Sequence, residues 1–118
     1  MKKFPNKEWF SELKERVNKE DAFQKAARWF NGTIGLRIDR DLYSLKISEG
    51  RVQEIKPELG VPLFTLSGNR AAWEELLTMG TINRLFRQNK ILIEGDKVTA
   101  MRYWKVLWYL TEIARNEN

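Results

Sequence analysis

Apolar residues recur at helical spacing through the first quarter of the chain and then switch to alternation. Trp9, Phe10, Leu13 and Val17 fall within an arc of roughly 100°, while Lys14, Glu15 and Lys19 point elsewhere, which predicts a helix with one buried stripe. Pro5 suits the start of that helix. A second helix is predicted from Asp21, with Phe23, Ala26, Ala27 and Phe30 on one face and Asn31-Gly32 as its stop. From there the period is two. Ile34, Leu36 and Ile38 alternate with Thr33, Gly35 and Arg37, Asp39-Arg40-Asp41 turns the chain, and Tyr43, Leu45 and Ile47 alternate with Ser44 and Lys46. Glu49-Gly50 turns it again into Arg51 to Lys56. Three strands with such short links predict an antiparallel meander with one apolar and one polar face.

A loop follows over Pro57 to Pro62, then a fourth strand over Leu63 to Ser67. Gly68-Asn69 opens a short helix with Asn69 as its N-cap and Trp73, Leu76 and Leu77 on its inner face. Gly80 closes it, and Thr81 caps another short helix, Ile82 to Gln88, presenting Leu85 and Phe86. Lys90 to Glu94 reads as a fifth strand, and Gly95-Asp96 leads into a long final helix. On that helix Met101, Trp104, Leu107, Trp108, Leu110 and Ala114, with Tyr103 and Val106, cover about 200° at 100° per residue. A helix lying on a sheet needs an apolar stripe of about half that width. It therefore has to be covered on two sides: by sheet and helices, by the contents of a cavity, or by a second subunit. The predicted class is α+β, five strands in one sheet with helices gathered on one face, and a single domain over residues 1–118.

Composition narrows the chemistry. The chain of 118 residues is 42% hydrophobic and 31% charged, a globular balance. It holds no cysteine, which excludes disulfides and thiolate chemistry, and no histidine, which removes the usual general base and the commonest metal ligand. The longest uncharged stretch, Leu59 to Asn69, is far short of the roughly 20 apolar residues that span a bilayer. No secretory or peroxisomal address is legible at either end, and a cytoplasmic location is the expectation. Net charge is +5, but the cations are scattered among acids. Arg84, Arg87, Lys90, Lys97, Arg102 and Lys105 are candidates for an anionic headgroup or for transient contact with a membrane surface, against the plainer reading of solvated helix faces. Asp39 with Asp41 and Glu94 with Asp96 sit at predicted turns, where Asp is favoured for backbone reasons.

The second half of the chain carries a resemblance. Phe64-Thr65-Leu66-Ser67-Gly68, Ala72-Trp73-Glu74-Glu75-Leu76, Asn83-Arg84-Leu85-Phe86 and Lys90-Ile91-Leu92-Ile93-Glu94-Gly95-Asp96 together resemble the C-terminal half of a sterol carrier protein type 2 (SCP-2 sterol-binding) domain. The order of the pieces carries the likeness: a strand ending in Gly, a helix with Trp and Leu, a short helix, and a Lys-apolar-x-apolar-x-Gly-Asp strand and turn into an amphipathic helix. The resemblance implies helices packed on a five-stranded sheet around a hydrophobic tunnel, with a mobile lid over Leu76 to Phe86. It also implies non-catalytic binding of a sterol, fatty acyl, acyl-CoA or isoprenoid lipid and allows for its transfer; no cofactor or metal is expected, nor nucleic acid as a partner, since the aromatics sit at core periodicity and not exposed between the cations.

On the residues alone, the apolar positions read as plain core; under the resemblance they become a lining. The candidate lipid-binding residues are Phe30, Ile34, Leu36, Leu45, Phe64, Leu66, Trp73, Leu76, Leu77, Met79, Leu85, Phe86, Met101, Trp104, Leu107 and Trp108. The alternative is an accessory or homodimeric module that uses the Trp-rich last helix as its interface, with the cavity filled by its own side chains. The expected state is monomer or homodimer.

Overall fold

The alternating segments pair as their spacing requires. In the computed structural model, which describes residues 4–57 and 61–116, β1 (Gly32–Ile38), β2 (Asp41–Ser48) and β3 (Arg51–Pro57) form the antiparallel meander. The turns that join them take residues with positive φ, Asp39 at 55° in the first and Glu49 at 55° with Gly50 at 78° in the second, the backbone that two-residue hairpins demand. Of the loop expected over Pro57 to Pro62, residues 58–60 lie outside the described residues, and Pro57 itself closes β3.

The chain then crosses back over two strands. β4 (Phe64–Gly68) lies parallel to β1, and β5 (Leu92–Gly95) lies antiparallel to β4, which completes a mixed five-stranded sheet in the order β3-β2-β1-β4-β5. Gly35 permits the crossing. A Cβ there would stand 2.4 Å from Thr65 Oγ1 and 3.1 Å from Pro62 Cγ, so the bare glycine lets the returning segment lie flat on the polar face. Leu63 N–H donates to the Thr33 carbonyl at 2.9 Å and holds it there.

The helices supply the second layer. α1 (Lys7–Val17) starts at Asn6, whose side chain accepts from Trp9 N–H, and buries Trp9, Phe10, Leu13 and Val17 against β3. α3 (Arg70–Leu76) and α4 (Ile82–Arg87) are capped by Asn69 and Thr81 as the spacing predicts. One continuous core joins these helices to Ile34, Leu36, Leu45, Ile47, Phe64, Leu66 and Ile93 from the sheet.

Two expectations need correction. The second helix is shorter than predicted: α2 spans Asp21–Ala26, and the tight bonds Arg28 N–H to Lys25 O and Phe30 N–H to Ala27 O fold the following residues into turns. Phe23, Ala27 and Phe30 are buried all the same. The long final helix is two helices, α5 (Lys97–Arg102) and α6 (Trp104–Asn116), broken at Tyr103. Tyr103 is anchored by long-range contacts, its ring edge-on to Phe30 at 5.0 Å and its hydroxyl donating to the Trp29 carbonyl at 3.2 Å. The break resets the helical phase. Val106, Leu107, Leu110, Ile113 and Ala114 form one buried stripe on α6, which packs against both α1 and α2, whereas Met101 and Trp108 turn outward.

Candidate functional site

Asn18, just past α1, is a side-chain latch. Its amide donates to the Val52 carbonyl at 2.9 Å and accepts from Val52 N–H at 2.8 Å, so it completes the outer edge of β3 as another strand would. That pins the C-terminal end of α1 to the start of β3. Toward the other end a cleft of about 670 Å³ lies between α1 and the far ends of β2 and β3. This is within the roughly 300–1,000 Å³ typical of small-molecule sites.

The cleft is amphipathic. Phe10, Tyr43, Ile55 and Pro57 form an apolar floor, and Asn6, Lys7, Ser11, Lys14, Glu54 and Lys56 form its rim. The register explains the floor, because Tyr43 lies opposite Pro57 and Leu45 opposite Ile55 on the apolar face of the sheet. Phe10 and Tyr43 meet ring to ring at 4.6 Å and close the inner end. On the rim Lys56 pairs with Glu54 at 3.3 Å, while Lys7 and Lys14 have no acidic partner among the described residues. Partial burial, reinforced by the neighbouring Asp41, holds the Tyr43 phenol above its ordinary range, so at neutral pH it is an uncharged hydrogen-bonding group and not a base.

A second, shallower depression of about 460 Å³ lies between α4 and the α5–α6 break, lined by Asn83, Phe86, Arg87, Met101 and Trp104. Trp104 Nε1–H donates to Asn83 Oδ1 at 2.6 Å, and its ring lies 5.2 Å from that of Phe86.

The residues expected to line a tunnel divide into three groups. Phe30, Ile34, Leu36, Leu45, Phe64, Leu66, Trp73, Leu76, Leu77, Leu85 and Leu107 are buried and pack in one cluster, with Trp73 Nε1–H donating to the Arg37 carbonyl at 2.8 Å. Phe86, Met101 and Trp104 come together at the second depression. Met79, in the turn after α3, and Trp108, on the outer side of α6, are exposed, Trp108 against the Tyr109 ring. The floor of the larger cleft is not among the expected site residues. Phe10 and Tyr43 carry a signal only as members of apolar stripes, and the Asn18–Val52 contact that ties α1 to β3 spans 34 positions, which no local pattern encodes.

The segment Leu76 to Phe86, expected as a lid, is tied down in this conformation. Glu75 accepts from Lys90 Nζ at 3.0 Å and Arg84 Nη2 at 3.1 Å, and Arg115 Nη1–H donates to the Gly80 carbonyl at 2.6 Å while pairing with Glu112. The hydrogen bond from Lys90, aided by its charge and by Arg84, keeps the Glu75 carboxyl below the ordinary carboxylate range. Among the described residues no group of three or more acidic side chains gathers into a cation site, and no helix is long and apolar enough to cross a membrane. Asp39 and Asp96 serve as turn and cap residues, Asp39 accepting from Arg70 N–H and Asp96 from Thr99.

Residues 10–107 match the SCP-2 sterol transfer family. Among curated proteins, none matches this chain in sequence. The fold is similar to that of a sterol carrier protein 2, with a TM-score of 0.85 at 17% identity over 96% of this chain and 98% of the other. A conserved hypothetical protein from Thermus thermophilus gives 0.78 at 17% identity, covering 98% and 90% of the two chains. The UbiJ-SCP2 ubiquinone synthesis protein gives 0.65 at 18% identity, covering 89% and 90%.

Proposed function

We propose that this protein, which belongs to the SCP-2 sterol transfer family, is a non-catalytic carrier of an amphipathic lipid with an acyl or isoprenoid tail. The tail lies in the cleft between α1 and the β2–β3 edge and extends toward the sheet's apolar face as α1 yields. The polar end sits among Lys7, Lys14 and Lys56. One observation carries this reading: in a chain of this family, a single cleft combines an apolar floor with a cationic rim whose Lys7 and Lys14 lack acidic partners among the described residues.

The energetics suit a carrier. Each buried methylene contributes ~0.8 kcal/mol, so a sixteen-carbon tail yields about 12 kcal/mol gross. Ordering the tail and orienting the ligand offset several kcal/mol of that, leaving a tight but reversible complex. No strong polar contact is needed, which fits a rim of solvated lysines.

Displacement of a fluorescent fatty acid tests the site. Ser11 is exposed on the cleft rim, so Ser11→Trp fills the cleft without touching the core. An indole that excludes about three methylenes removes ~2.4 kcal/mol, an expected weakening of about fiftyfold. Unchanged affinity in a folded Ser11→Trp protein moves the ligand out of this cleft, and a parent protein that binds no probe at all overturns the carrier reading.

A further inference from the structure

The segment from Ile82 to Leu110 carries six cations, Arg84, Arg87, Lys90, Lys97, Arg102 and Lys105, against two acids, Glu94 and Asp96. The structure sorts them. Arg84 and Lys90 are held by Glu75 at 3.1 and 3.0 Å, and Glu94 is paired with Arg37. Asp96 is spent on capping α5, accepting from the amide and hydroxyl of Thr99. Arg87, Lys97, Arg102 and Lys105 are all exposed and form no salt bridge among the described residues, Arg102 acting on Asp96 only through its charge at longer range.

Apolar side chains stand between these cations. Val98 is 73% exposed and Met101 47%, three positions apart on one side of α5, and Lys97 and Arg102 flank them. The depression lined by Phe86, Arg87, Met101 and Trp104 opens beside them, and Trp108 follows one turn along α6 at 37% exposure. An isolated exposed valine needs no explanation. Exposed apolar side chains on neighbouring turns, interleaved with cations that form no salt bridge, suit the headgroup boundary of an anionic bilayer, where apolar tips reach the acyl region and cations meet phosphates.

We propose that the face built by α4, α5 and the first turns of α6 docks this protein on an anionic membrane surface. Val98 and Met101 enter the acyl boundary, and Arg87, Lys97, Arg102 and Lys105 bind lipid phosphates. Val98 and Met101 stand further into solvent than Trp108, and neither is planar, which favours lipid over single-stranded nucleic acid, whose bases stack on planar groups. The docking face is separate from the cargo cleft, since no residue lines both the α1 cleft and the depression beside α5.

Co-sedimentation with vesicles tests this. The parent protein should bind vesicles of phosphatidylcholine and phosphatidylglycerol in equal parts and leave pure phosphatidylcholine vesicles unbound. Val98→Asp alters an exposed side chain, so the fold survives, and it should lower the partition about tenfold or more. Arg87→Gln and Lys105→Gln should each lower it about fivefold. Ser11→Trp should leave vesicle binding unchanged, so cargo and docking fail separately. Equal binding to both vesicle types, or an unaltered partition in Val98→Asp, overturns the proposal. So does light scattering that shows a dimer which Val98→Asp dissolves, because the face is then an interface between two copies. Binding to a single-stranded oligonucleotide in preference to the anionic vesicles also overturns it.

Discussion

Replacing Asn18 with alanine removes the latch that sets the angle of α1, and its cost can be worked from two hydrogen bonds. The Asn18 amide pairs with both backbone groups of Val52, a residue 2% exposed, at 2.8 and 2.9 Å. Each such bond contributes about 1 kcal/mol net, and each buried group left unpaired costs about 1 to 3 kcal/mol. If water follows the lifted helix the loss is near the lower bound, so Asn18→Ala should destabilise by about 2 to 4 kcal/mol. With ~2.1 cal/mol/K of unfolding entropy per residue, a chain of this length shifts by about 4 °C per kcal/mol, hence a Tm lowered by about 8 to 16 °C. Thermal and urea unfolding followed by circular dichroism measure the loss, and hydrogen exchange at the Val52 amide reports the latch itself. Asn18→Asp keeps the acceptor for Val52 N–H but sets a carboxylate oxygen against the Val52 carbonyl, so it should recover no more than half of the stability. An Asn18→Ala protein within ~0.5 kcal/mol of the parent, its Val52 amide still protected, would refute the idea that this contact pins α1.

Gly35→Ala forces a Cβ to 2.4 Å from Thr65 Oγ1 and 3.1 Å from Pro62, so overpacking of ~1–3 kcal/mol should outweigh the ~0.4–1 kcal/mol gained through the unfolded chain, as urea unfolding will read. Glu75 has a folded pKa below its unfolded value, so its pairing contributes stability above the unfolded pKa and loses it as pH falls through the folded one. Glu75→Gln should therefore lower the Tm at neutral pH, with the gap to the parent closing in acid; a gap independent of pH would show that packing, not charge, holds the Leu76–Phe86 segment.

Much of this fold is legible locally, and the exceptions share a cause. Asn69 and Thr81 announce their helices because an N-cap is a contact across three positions, and Glu49-Gly50 announces a hairpin because two residues determine its backbone. The break at Tyr103 is hidden, since the groups that hold it, Trp29 and Phe30, lie more than 70 positions away. Periodicity run through that break places Met101 and Trp108 on an inner arc that the structure does not have. The parallel pairing of β4 with β1 depends on Gly35 beneath Pro62, a tertiary contact that alternation alone cannot signal. Stripe membership separates buried from exposed for Ile34, Leu66 and Leu85, yet it is silent on where two packed layers part to leave a cleft.

The packing of α6 on α1 and α2 brings the last helix of the chain against the first two. A growing polypeptide presents the apolar side of α1, which carries Trp9, Phe10, Leu13 and Val17, about one hundred residues before the α6 part of its cover exists. At ~5–20 residues per second the delay is about 5 to 20 seconds. Through that interval the side of α1 that α6 will cover is open to whatever surface is nearest, so during its own synthesis the nascent chain is itself a hydrophobic client in need of shelter.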